Sequence, residues 1–218
     1  MKRSICVLAL VSATVIALGA KPAPAPVAAN HDVYTNDTAA LKARLEMRRL
    51  WSEHASLTHA YIVSATADLP DEEALARRVL ENADEIANAL AQYYSTASAA
   101  KVSALLRQHV MLITDAVHMA KAKEKDEMGP VQDKLDANGK ELVSFLAGLN
   151  PNWNEAELGG MIEEHINHEN DALMARVDHD WPGNINAWDD AQNDILKLAD
   201  MLSLGLERQF PDRFAAVN

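Results

Sequence analysis

From about residue 40 onward the chain is written almost entirely in strong helix formers, Ala, Leu, Glu, Lys, Arg and Met. No run of alternating β-branched residues interrupts it. The one Asn-Gly pair, Asn138-Gly139, sits inside a helical pattern rather than between two apolar runs. A chain with no strand signal has to bury its apolar faces helix against helix. The breakers then set the number of helices. They divide the chain into stretches of about Thr38 to Ala67, Glu72 to Tyr94, Ala97 to Lys123, Val131 to Ala147, Asn154 to His179 and Asn186 to Arg208. Leu69-Pro70-Asp71, Gly129-Pro130, Asn150-Pro151 and Trp181-Pro182-Gly183 read as the turns. Asn154 followed by Glu157 reads as a capping-box start. Short connections between long helices make antiparallel neighbours. The expected fold is all-α, an up-and-down six-helix bundle occupying residues 41–218.

Residues ahead of the bundle have a different character. Met1-Lys2-Arg3 precedes an apolar run from Ile5 to Ala20, followed by small residues and prolines at 22, 24 and 26. A basic start and a short apolar stretch form the pattern of a secretory signal. The expected signal peptide is 1–29, with Val27-Ala28-Ala29 as one cleavage point and Gly19 or Ala20 as the alternative, and 30–40 reads as a flexible leader. That makes the mature protein periplasmic or secreted, with no membrane span left after cleavage. Cys6, the single cysteine, would be lost with the signal, so thiol chemistry and cysteine-based metal sites are excluded. Acids outnumber bases, 32 to 20, for a net charge of −12. That balance opposes nucleic-acid binding, which needs a basic surface.

Within the bundle the sequence repeats. His54 follows Leu50-Trp51-Ser52-Glu53, His109 follows Leu105-Leu106-Arg107-Gln108, and His165 follows Met161-Ile162-Glu163-Glu164. The three histidines are 55 and 56 residues apart. Asn82-Ala83-Asp84-Glu85-Ile86 recurs as Asn138-Gly139-Lys140-Glu141-Leu142, and Asn193-Asp194-Ile195 is a poorer third copy. This reads as three helical hairpin repeats, each opening with a histidine helix. Packed about a pseudo-threefold axis, they would bring His54, His109 and His165 to one level.

Two readings of that level stand side by side. Neutral imidazole is a common transition-metal ligand, and three histidines with an open fourth position form a known zinc arrangement. On this reading His54, His109 and His165 hold a transition metal or a small polar ligand. Asn82, Asn138, Glu85, Glu141 and Asp189 would then line or orient the site. On the other reading the protein is a structural or interaction protein, and the His/Asn layer only sets helix packing. The chain has no Gly-rich phosphate loop and no Gly-x-Ser-x-Gly elbow. Asp178-His179-Asp180 has the look of a nucleotide-sugar motif, but no βαβ unit surrounds it.

Several stretches bear a resemblance to an all-helical bacterial family of unknown function. They are MRRLWSEHASLTHAYIVSATADLPD from Met47, LLRQHVMLITDAVHMAKA from Leu105, LAGLNPNWNEAEL from Leu146, MIEEH from Met161 and LADMLSLGLERQFPDRF from Leu198. The resemblance runs from about Met47 to Phe214. It implies that His54, His109, His165, Asn82 and Asn138 are family features, and it brings no established cofactor or reaction. The automated label "glycosyltransferase" attached to that family finds no support in these residues. The chain departs from the family at Asp136-Ala137-Asn138-Gly139, where the family carries an aromatic before Ala-Asn-Ala.

Overall fold

The computed structural model describes residues 39–122 and 125–215. The expected signal peptide and nearly all of the leader lie outside these residues, although Ala39 and Ala40 already belong to the first helix. Seven helices and no strand occur among the described residues. They are α1 (Ala39–Thr66), α2 (Glu72–Ala91), α3 (Thr96–Ala122), α4 (Lys125–Leu149), α5 (Glu155–Val177), α6 (Trp181–Gln209) and the short α7 (Pro211–Phe214). The fold is all-α.

The ends follow local chemistry. α1 closes where Asp68 takes a left-handed conformation (φ 54°) and the Leu69 amide returns to the Ser64 carbonyl at 3.0 Å. Lys121 Nζ donates to the Ala65 carbonyl at 2.8 Å, satisfying one of the last free acceptors of α1. Asn154 caps α5, its side chain accepting from the Glu157 amide at 2.9 Å.

Two turns differ from the sequence reading. Gly129-Pro130 does not end a helix: α4 begins at Lys125 and carries Pro130 inside it. Proline removes one i→i−4 bond, and Met128 two residues before it packs against the core. Trp181-Pro182-Gly183 likewise belongs to α6 rather than to the turn before it. Asp180 caps this helix, accepting from the Gly183 amide at 3.0 Å. Proline is tolerated in a first turn because its missing N–H would have had no partner there.

Each of the six long helices packs on its chain neighbours, and α6 returns to pack on α1. Beyond this ring, α1, α3 and α5 also touch one another, whereas α2, α4 and α6 do not. The odd-numbered helices therefore form an inner triangle and the even-numbered ones fill its outer sides. The buried stripes of α2 and α3 show this contrast. α2 buries a narrow one, Val79, Asn82, Ala83, Ile86, Ala87 and Leu90. α3 buries eleven residues from Ala99 to Ala120. Each fully buried Leu, Ile or Val contributes about 1.5–3 kcal/mol. One end of the bundle is closed by aromatics. There Trp153 donates its indole N–H to the Leu202 carbonyl at 3.2 Å, and Tyr94 donates to Gln209 at 2.6 Å. No helix of the described residues is long and apolar enough to cross a membrane.

Candidate metal centre

Four polar side chains meet inside the inner triangle. His54 comes from α1, His109 from α3, and His165 and Glu169 from α5. All four are buried, between 1% and 7% exposed. His165 and Glu169 are one helical turn apart and fall on the same inward stripe, with Leu158, Ile162, Ile166, Ala172 and Leu173.

His54 is held in one orientation. Asn82 donates its amide to the Leu50 carbonyl at 3.1 Å, which turns its Oδ1 toward the imidazole. His54 Nδ1 lies 3.1 Å from that oxygen and donates to it. The proton is thereby fixed on Nδ1, and Nε2 keeps its lone pair. Burial lowers the His54 pKa to about 4, so the ring is neutral at pH 7. Neutral imidazole is the form that binds a metal.

Asn138 makes a matching bond on the next hairpin, its amide donating to the Leu105 carbonyl at 3.1 Å and also to Gln108 Oε1 at 3.2 Å. Asn138 Oδ1 has no hydrogen-bond partner. On the third hairpin the pattern changes. Asn193 is exposed, and His165 Nδ1 instead donates to the Ala191 carbonyl at 3.2 Å.

Glu169 ties the histidines together. Its Oε2 lies 3.3 Å from His109 Nε2, and its Oε1 lies 3.3 Å from His165 Nε2. The second contact has ion-pair reach but not hydrogen-bond alignment, which leaves both of those atoms without a hydrogen bond. Burial by itself would raise the Glu169 pKa, but His165 and His109 outweigh it and hold the carboxyl well below its usual range. Burial would likewise lower His165, and the adjacent carboxylate reverses this and raises it.

One ligand atom each from His54, His109 and Glu169 lie within 4.8 Å of one another. In a tetrahedral site with bonds of about 2.0–2.1 Å, two ligand atoms are separated by about 3.3 Å. The His109–Glu169 edge already has that length. A cavity of about 30 Å³ adjoins the cluster, lined by His54, His109, His165, Asn138, Trp51 and apolar side chains. A water molecule needs about 10–15 Å³ of such space, so the cavity has room for a water-sized ligand.

No family model, curated protein or solved structure matches this chain.

The three histidines picked out by spacing thus line one cavity, together with Asn138. Their expected grouping as three ligands changes at the third member. The set that closes on itself is His54, His109 and Glu169, and His165 reaches it through Glu169. Asn82 stands behind His54 as its orienting group. The carboxylates expected to join the site lie elsewhere. Glu85 pairs with Arg78, Glu141 with Lys101, and Asp189 is exposed. Glu85 and Glu141 follow the buried asparagines by three residues. That offset of about 60° around the helix carries them off a narrow buried stripe. Glu169 is not among the expected site carboxylates, although it stands four residues after His165 at same-face spacing.

Proposed function

We propose that this protein is an exported metal-binding protein. His54, His109 and Glu169 would hold one divalent transition metal at the centre of the inner helix triangle. The observation that carries this reading is the buried convergence of the three ligand groups within 4.8 Å of one another. Two imidazoles and one carboxylate form a donor set suited to zinc and its neighbours. Three protein ligands beside a small cavity leave a coordination position open to water, the pattern of a reactive zinc site rather than a closed structural one. Asn82 and His165 serve as orienting partners, Asn82 on His54 and His165 on the carboxylate. The signal-like sequence ahead of residue 30 supports export, and N-terminal sequencing of the mature protein checks it. The three-hairpin repeat is part of the same proposal. The matching bonds of Asn82 and Asn138 support it for two hairpins.

The rival reading is a layer that only fixes packing. It is favoured by one observation: Asn82 and Asn138 each bind a backbone carbonyl of the neighbouring helix without any ion. Metal analysis separates the two. Protein stripped with chelator and titrated with Zn²⁺ or Co²⁺ is expected to take up one ion per chain, and Glu169→Gln to lose that ion. A wild-type chain that binds no stoichiometric metal leaves the packing layer as the function of these residues.

A further inference from the structure

The seam between α4 and α5 differs from every other in the ring. Side chains clasp α1 to α2 through Arg78 and Glu53, and α2 to α3 through Arg107 and Asp84. Lys101 and Glu141 join α3 to α4, and His168 and Asp194 join α5 to α6. Arg48 and Asp200 close α1 on α6. From Met128 onward, no hydrogen bond or ion pair joins α4 to α5 among the described residues. Small residues open this seam further. A Cβ on Gly160 would meet nothing within 4 Å, and one on Gly159 would only touch Val143 at 3.8 Å. The result is a groove of about 420 Å³.

The floor of this groove is also the wall of the metal cavity. Gly139, Ile162 and Ile166 line both spaces, so the barrier between them is one layer of residues. At Gly139 that layer is bare backbone. A Cβ there would stand 3.0 Å from Ile166 Cδ1 and 3.3 Å from Ile162 Cγ2, tight enough to wedge the two isoleucines. Behind the wall stand His165 Nε2 and Asn138 Oδ1, both buried and both without a hydrogen-bond partner. The groove's charged residues are Asp136, Glu155 and Glu163 against a single Lys140, a rim that attracts cations.

We infer that the α4–α5 groove is the entrance through which a divalent cation reaches His54, His109 and Glu169, with Gly139 as its aperture. This rests on the metal-binding reading. Brief displacement of the Ile162 and Ile166 side chains past a glycine opens the path without moving a helix. The acidic rim raises the encounter rate and makes it sensitive to salt.

The test is stopped-flow mixing of Zn²⁺ with the chelator-stripped full chain, read through tryptophan fluorescence, beside an equilibrium affinity from chelator competition. Gly139→Ala is expected to slow both association and release, by about tenfold for a barrier raised by one such contact. The Kd should stay at the wild-type value, because no ligand is touched. Glu163→Gln is expected to slow association at low salt and to flatten its salt dependence. Ile162→Val thins the wall and is expected to speed both rates, which keeps the test open if Gly139→Ala does not fold. Wild-type rates in the folded variants, with metal still bound, would overturn the entrance and leave the metal site standing. Absence of zinc binding by the wild type would overturn the metal reading and the entrance with it.

Discussion

His54→Gln tests whether the cluster is built around a neutral imidazole. In the folded chain burial brings the His54 pKa down to about 4, against an ordinary value of 6.5. The sign follows directly. Above pH 6.5 the ring is neutral in both folded and unfolded chains and contributes no pH dependence. Between pH 6.5 and pH 4 the unfolded chain takes up a proton that the folded chain resists, so stability falls as the pH falls. One pKa unit corresponds to about 1.4 kcal/mol, so the full depression is worth about 3 kcal/mol, and most of it is lost by pH 4.5. Glu169 also titrates in acid. Its depressed pKa gives stability that is present above its unfolded value and lost as the pH falls through its folded one. His165, with its pKa raised, contributes most below its unfolded value and loses that contribution as the pH rises through its folded one. Those two groups remain in the variant, so the difference between the proteins reports on His54 together with its coupling to Glu169, His109 and His165. The assay is urea denaturation followed by circular dichroism at pH 7 and pH 4.5, with chelator present to exclude metal. Wild type is expected to lose about 2–3 kcal/mol more than His54→Gln over this interval. Equal losses would refute the reasoning, because His54 would then be charged or solvated in the folded chain.

Asn82→Ala removes both the acceptor for His54 Nδ1 and the donor to the Leu50 carbonyl. Zinc affinity measured by chelator competition is expected to fall about 10- to 100-fold, the usual effect of losing an orienting partner. Gly205→Ala places a methyl group inside the van der Waals envelope of the Trp153 indole, which is buried and hydrogen-bonded to Leu202. The expected loss is about 1–3 kcal/mol, measured as a lower denaturation midpoint with no change in metal stoichiometry.

Much of this fold is legible in the order of residues, and the reasons are local. Helix formers separated by Pro, Gly and Asn fix the six long helices, and Asn154 with Glu157 marks the start of α5. Failures occur where a breaker has two uses. Pro130 and Pro182 both look like stops, yet one is carried inside α4 and the other sits in the first turn of α6. The site divides in the same way. His54, His109 and His165 share a regular spacing of 55 and 56 residues, and all three line one cavity. Glu169 belongs to no repeated pattern. What identifies it is the stripe of α5, where it is the one acid among apolar residues and a histidine at inward positions. Glu85 and Glu141 occupy matching positions in the sequence, but each lies off the buried stripe of its helix and pairs at the surface, with Arg78 and Lys101.

The balance of hydrogen bonds around the cavity favours a ligand over mere packing. Trp51 Nε1, Asn138 Oδ1, His165 Nε2 and Glu169 Oε1 are all buried and all lack a hydrogen-bond partner in the protein. Each such atom costs about 1–3 kcal/mol if nothing satisfies it. Four of them would consume most of the 5–15 kcal/mol that keeps a domain of ordinary stability folded. A layer needed only for packing would be better built from apolar side chains of the same volume, as buried ion pairs often can be replaced without loss. A metal ion held by His54, His109 and Glu169 gives the carboxylate its partner. A water in the 30 Å³ space has a donor in Trp51 and an acceptor in Asn138 within the same lining. The cluster is therefore costly as a packing device and well matched as a ligand cradle, and that asymmetry is the physical reason to place the function here.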